Sequence, residues 1–349
     1  MGNQQKRRQS QDQGYDIDGR GAQYTIFKIF ASGISFREVR IKCKRYVLLA
    51  IATIAFMCAA AIAVLSIYYA RAVTRPDRMA VPAITENIAF DFSAVSFRTP
   101  DELTTLRGWW FTPPAPKKPA IAAVLVHGFE SCRFPFGLET LDLVSVYVQS
   151  GLYVLAFDLR NSGDSAPGAS TFGVNEKDDV RGAISFARRQ GCASVLLHGF
   201  STGANAALMA ASIEPMESVD AIVLDSPVVD IARFVEGRVQ GITPELPSFP
   251  FRYTVAPLIG LFVNGDVFSA AAIPNMAKAV PRPILLIHGE LDEYLSGDEA
   301  TQAYMSYLEL AVGQIGLWDV PGAGHADAFA VDPEGYADRL AAFLGRFFP

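Results

Sequence analysis

The sequence predicts an α/β fold: a mainly parallel, doubly wound sheet with an N-terminal antiparallel hairpin, preceded by one transmembrane helix. Three observations predict it. From Ala120 onward, short apolar runs alternate with helical stretches. Strand alternating with helix implies right-handed crossovers and a mainly parallel sheet. Ahead of that rhythm, two strand-like segments flank the turn Thr99-Pro100-Asp101. Earlier still, Val47 to Ala70 carries no charged residue, and about 20 apolar residues span a bilayer as a helix.

Composition sets the outer bounds. At ~150 residues per domain, a chain of 349 residues is one large domain or two ordinary ones. Half of it is apolar and 19% is charged, enough to bury a core, which excludes a disordered chain. Four cysteines exclude a small disulfide scaffold. The net charge of −6 argues against a general nucleic-acid binder. That charge is uneven. Residues 1–46 hold ten Lys/Arg against four Asp/Glu, a balance of +6, which leaves −12 on the rest.

In chain order, residues 1–46 read as a basic tail, polar and Gln-rich at its start and largely disordered. Residues 47–70 read as the transmembrane helix, because soluble helices are rarely apolar all round at this length. Tyr46, Tyr68 and Tyr69 sit at its ends, where interfacial aromatics belong. Six basic residues from Lys28 to Arg45 precede it, and Arg71, Arg75 and Arg78 come after it. That bias predicts a cytoplasmic N-terminus and residues 71–349 outside the cytoplasm. Ala70-Arg71-Ala72 has the form of a cleavage site, but the stretch ahead of it is too long for a signal peptide. Residues 71–86 read as a stalk, since Pro76 and Pro82 limit regular structure there.

The remainder, 87–349, reads as one domain. Phe90, Phe92, Val95 and Phe97 suggest a first strand whose alternation slips, hence an irregularity, and Leu106 to Phe111 its hairpin partner. The parallel strands are expected at Ala120–Val126, Tyr153–Phe157, Ser194–Leu197, Ala221–Leu224, Ile284–Ile287 and Gly316–Val320. Helices are expected near 136–150, 176–190, 202–212, 298–312 and 333–345. Ligands on such a sheet bind beyond the carboxyl ends of the strands, so the loops after each run are where chemistry belongs. The segment 228–280 is longer than an ordinary connection. It reads as helices on the sheet edge or as a small apolar cap.

Those loops hold the reactive residues. Gly199-x-Ser201-x-Gly203 lies between a strand and a small-residue helix, the setting of a nucleophile elbow. Ser201 is the candidate nucleophile, and its bland alternative is a helix cap. A serine hydroxyl needs a base, and the chain has four histidines. His127, His198 and His288 each end an apolar run and read as packed or supporting residues. His325 follows the last strand in a glycine-rich loop and is the candidate base. Asp292, in the loop after the penultimate strand, is the candidate acid that orients it. Glu290 and Asp225 compete for that role.

The order Ser201, Asp292, His325 resembles the alpha/beta-hydrolase superfamily. VLVHGF (124–129), DLRNSGDS (158–165), GFSTG (199–203), LLIHGELD and GAGH carry the resemblance over about residues 88–346. It is nearest to compact bacterial esterase-like members with an N-terminal membrane segment. The resemblance implies an alpha/beta-hydrolase fold and an oxyanion hole made by the backbone amides of Phe129 and Thr202. It implies a loop-holding role for Asp158 and Arg160. One departure stands out: Leu295-Ser296 follows the acid loop where the family tends to Val-Pro.

The function expected is a membrane-anchored serine hydrolase acting on carboxylic esters or thioesters through an acyl-enzyme. The substrate would be a small-molecule or lipid-derived ester, with no cofactor, no metal and no nucleic acid. An acyltransferase or a peptidase could use the same triad. A non-catalytic binding or scaffold protein on this fold is the alternative from another class. Cys132 and Cys192 fall at opposite ends of the strands, roughly 17 Å apart, too far for a disulfide.

Overall fold

A computed structural model describes residues 35–84, 88–213, 215, 218–228, 231–242, 249–263, 267, 282–294 and 315–349. Its contacts divide into two units, Met1–Ile62 and Ala63–Pro349. The tail up to residue 34 and the helix expected at 298–312 lie outside the described residues.

Helix α1 (Phe36–Thr74) is longer at both ends than the expected span. It is the one described helix long and apolar enough to cross a membrane. Nothing in the sequence breaks it before Arg75-Pro76, and a residue ahead of proline is pushed out of the helical region. The segment after α1 does not hang free as a stalk. Ser170 N donates to Thr74 O at 2.7 Å, Asn161 Nδ2 to Pro76 O at 3.2 Å and Arg78 Nη1 to Ser165 O at 2.9 Å. Val81 and Ile84 pack against the core.

The sheet has the strand order β1-β2-β4-β3-β5-β6-β7-β8. The strands are β1 (Asp91–Arg98), β2 (Thr105–Thr112), β3 (Ile121–Val126), β4 (Tyr153–Asp158), β5 (Ser194–Phe200), β6 (Ala221–Asp225), β7 (Ile284–Gly289) and β8 (Ile315–Val320). β1 and β2 form the antiparallel hairpin, β2 joins β4 antiparallel, and β3 to β8 run parallel. The expected irregularity in β1 is absent, and its register with β2 is unbroken from Asp91↔Thr112 to Arg98↔Thr105. The slipped alternation has another cause. Phe92 stacks on Phe111 on one face, while Phe97 stacks on Phe186 on the other. The strand thus serves both layers.

Helices cover both faces, which is why the parallel strands read as continuous apolar runs. Helices α3 (Glu176–Arg189) and α4 (Thr202–Ile213) bury Val180, Ile184, Ala204 and Leu208 against Val124, Leu155, Leu197 and Leu224. On the other face α2 (Thr140–Gln149) and α8 (Pro333–Phe347) bury Leu143, Tyr147, Leu340 and Phe343 against Leu125, Leu196 and Val223. A short helix, α7 (Ala328–Val331), precedes α8. Cys192 belongs to the first layer and Cys132 to the second, and both are free thiols.

A third apolar cluster sits apart from the sheet. Helices α5 (Ile231–Ile242) and α6 (Phe251–Val263) pack there with Tyr69, Ala70 and Val73 from the end of α1, and with Phe172. Of the segment 228–280, residues 229–230, 243–248 and most of 264–280 lie outside the described residues.

Candidate active site

Ser201 occupies the turn between β5 and α4 at φ 53°. Non-glycine residues rarely adopt that left-handed conformation, and it costs on the order of 1–3 kcal/mol. The surroundings hold it there. Ser201 N donates to Asp225 O at 2.9 Å, and Ala204 N donates to Ser201 O at 3.0 Å. The flanking glycines are needed sterically. A Cβ on Gly199 would lie 2.5 Å from Ala204 Cα, and one on Gly203 would collide with the carbonyl oxygens of Val126 and His127.

Three loops converge on the serine. Ser201 Oγ lies 2.7 Å from His325 Nε2, and His325 Nδ1 lies 2.8 Å from Asp292 Oδ2. Ser201 and Asp292 are buried, and His325 is partly exposed. Asp292 is held in turn, because Tyr294 N donates to its Oδ1 at 2.9 Å. The competing carboxylates are engaged elsewhere. Glu290 accepts from Gly322 N at 3.0 Å. Asp225 accepts from Tyr336 Oη at 3.0 Å and Ser226 Oγ at 3.2 Å.

The loop after β3 brings Gly128 and Phe129 against the serine. A Cβ on Gly128 would sit 3.0 Å from Ser201 Cβ. Thr202 opens α4, so its amide is among the first-turn donors with no acceptor inside the helix. A narrow cavity of about 20 Å³ touches Gly128, Phe129, Thr202 and Pro76. Ser201, His325 and Asp292 therefore come together, and Gly128, next to Phe129, lies against the serine.

The remaining histidines are structural. His127 Nε2 accepts from Leu159 N at 3.0 Å, and its Nδ1 lies 2.7 Å from Gly128 O. His288 Nδ1 meets Asp319 at 3.0 Å. His198 lies buried between two tyrosines, with Nδ1 2.8 Å from Tyr147 Oη and Nε2 2.8 Å from Tyr336 Oη. Burial drives His198 down to about 3 and pushes the Asp225 carboxyl up to about 7. Loop-holding by Asp158 and Arg160 is also present. Asp158 takes Arg133 Nη2 at 2.5 Å and Asp164 N at 2.8 Å, and Arg160 forks onto Asp179.

Sequence reading missed the groups that crowd the base. Tyr294 meets the His325 ring edge-on at 4.8 Å, and Phe234 of α5 lies 6.4 Å from it. Phe234 also packs on Phe129 and Phe172. Arg238 lies over the Phe129 ring and pairs with Glu130. No local motif marks Phe234 or Arg238, since α5 meets the site only through the fold, whereas Tyr294 stands two residues after Asp292 in the acid loop.

A serine on a strand-to-helix turn, backed by a histidine and a carboxylate at the carboxyl edge of a parallel sheet, defines the alpha/beta-hydrolase class. The sequence matches the alpha/beta hydrolase family over residues 123–339, and the chain belongs to that family. It is 25% identical over 211 residues to the uncharacterized protein YqkD of Bacillus subtilis, covering 59% of this chain and 67% of that one. It is 32% identical over 139 residues to thiohydrolase ApmlB of Arthrinium phaeospermum, covering 38% and 43%. Among solved structures, the Pyrococcus furiosus esterase Pf2001 superposes with a TM-score of 0.61 at 24% identity, covering 78% of this chain and all of that one.

Proposed function

We propose that the protein is a membrane-anchored serine hydrolase that cleaves carboxylic esters or thioesters through an acyl-enzyme. The observation that carries this reading is the hydrogen-bonded line from Ser201 Oγ through His325 to Asp292. Ser201 Oγ attacks the acyl carbon, and its proton passes to His325 Nε2. Asp292 accepts from Nδ1, which fixes the tautomer and stabilises the imidazolium. The amides of Phe129 and Thr202 hold the tetrahedral oxyanion, and such a donor is worth about 10²–10³ in turnover. As the intermediate collapses, the leaving group takes the proton from His325. Water then attacks the acyl-serine with His325 as base, which releases the acid and restores Ser201.

Similarity to a thiohydrolase supports keeping thioesters beside esters. The apolar span supports anchoring, and the basic residues ahead of it support a cytoplasmic N-terminus. The test is fluorophosphonate labelling of the full chain in detergent. Labelling of the native protein that disappears in Ser201→Ala is expected, followed by turnover of an ester and thioester panel. A folded native protein that does not label overturns the reading in favour of a non-catalytic scaffold. Product analysis with an added alcohol separates hydrolysis from acyl transfer.

A further inference from the structure

From Tyr253 to Val263, helix α6 carries no charged residue. Phe251, Val255, Ile259 and Val263 repeat every four residues and are buried in the third cluster. Tyr253, Pro257 and Leu261 repeat with the same spacing on the opposite face and are exposed, Tyr253 at 62% and Leu261 at 79%. Phe249, just ahead of the helix, is exposed as well. In water such a helix turns a polar face outward, and one that is apolar all round belongs in a core or in lipid.

What covers the stripe is indicated by the helix packed beside it. The last turns of the apolar span, from Ala63 onward, belong to the same unit as α6. One side of those turns packs on α6. Ser66 Oγ lies 2.7 Å from Thr254 Oγ1, and the Tyr69 ring meets Phe251 edge-on at 5.1 Å. The other side leaves Val64, Leu65, Ile67 and Tyr68 exposed. Counted from Val47, the ~20 residues that cross a hydrocarbon core end near Ser66. The Ser66–Thr254 contact thus places α6 at the bilayer surface, where tyrosine rings are favoured.

The same cluster leads inward. It runs from Tyr69 and Phe251 through Val235 and Val239 to Phe234, which packs on Phe129 and lies near His325. A groove of about 210 Å³ between α5 and α6 is lined by Val235, Val239, Phe251 and Tyr253, with Glu236 and Gln240 beside them.

We propose that the stripe Tyr253, Pro257 and Leu261, with Phe249 ahead of it, seats in the bilayer that holds α1, and that Ser201 takes its substrate from that bilayer, an acyl ester of a membrane-resident lipid. This substrate class rests on the serine-hydrolase reading, whereas the seating of α6 does not.

Two measurements on the full chain in phosphatidylcholine vesicles test the two parts separately. The first introduces Tyr253→Trp, with Leu261→Trp as a second reporter should the first misfold. Replacing the lipid by its chain-brominated form quenches the added emission if α6 is seated. Unquenched emission overturns the seating and leaves a second protein copy or solvent on the stripe. The second compares native protein with the double variant Tyr253→Ser/Leu261→Ser. The substrates are 1-oleoylglycerol dispersed in the vesicles and p-nitrophenyl acetate in solution. The double variant is expected to lose about a hundredfold on the oleoylglycerol, the lower end of the scale for two buried apolar side chains set free, and to keep its rate on the acetate. Equal rates of native and variant on oleoylglycerol overturn delivery from the bilayer. So does native protein that hydrolyses the acetate but not the oleoylglycerol. Hydrolysis of neither by native protein overturns the hydrolase reading and the substrate class with it, while the quenching result still decides the seating.

Discussion

At the scale of residues, the most consequential groups outside the Ser–His–Asp line form a buried chain under it. Tyr336 donates to Asp225, so His198 Nε2 must carry the proton it shares with Tyr336, and Tyr147 donates to Nδ1. Two members of this chain, His198 and Asp225, resist charging, with opposite consequences for stability. His198, lowered to about 3 from 6.5, contributes stability that is present above 6.5 and lost as pH falls toward 3. Asp225, raised to about 7 from 3.8, contributes stability that is present below 3.8 and lost as pH rises through 7. Between roughly pH 4 and 6.5 the two slopes oppose each other, each at most about 1.4 kcal/mol per pH unit. His127 adds to the first slope and Asp179 to the second. Asp225→Asn is therefore expected to lose stability faster than native on acidification below 6.5. His198→Phe is expected to lose it faster than native as pH rises from 4 to 7. Urea midpoints across pH 4–8 check both, and parallel native and variant curves would remove these two groups as the cause.

At the scale of elements, the turn from β5 to α4 has no spare volume. Gly203 packs on the backbone of β3, so Gly203→Ala forces two elements apart. Overpacking of this kind costs typically about 1–3 kcal/mol. A lowered urea midpoint with a matching loss of fluorophosphonate labelling is expected, and native-like values for both would show that the turn can yield. This turn was readable from sequence because its constraint is local: two glycines and a serine at fixed spacing between an apolar run and a helix. The parallel strands were readable because burial on both faces leaves no polar alternation to confuse them. β1 was misread because its inward face changes along the strand, which local alternation mimics as a slip. Arg133 was passed over although it is buried on Asp158. Nothing near it in sequence marks a charge bound for the interior, and its partner lies on the next strand. Phe234 was invisible for the same reason, since α5 reaches the site only through the fold.

At the scale of the whole molecule, the boundary that composition suggests is not the one that packing uses. Apolar content ends at Ala70, which makes residue 71 look like a natural start for a soluble domain. Packing moves that start upstream, because Tyr69, Ala70, Val73 and Thr74 are buried and Tyr69 covers Phe251. A chain beginning at Ala63 keeps these contacts. A chain beginning at residue 75 removes them and bares Phe251 to water. Losing a buried aromatic alone costs about 3–5 kcal/mol, which is much of the margin of an ordinary domain. The longer truncation is therefore expected to unfold at clearly lower urea than the one starting at Ala63. Its first loss should be the seating of α5 and α6, read as faster proteolysis within 231–263 before the sheet gives way. Tyr69→Ala in the full chain should reproduce a large part of that effect with the span still in place. Equal midpoints for the two truncations would mean that α1 ends energetically where its apolar composition ends, and that the last turns lie on the cap without supporting it.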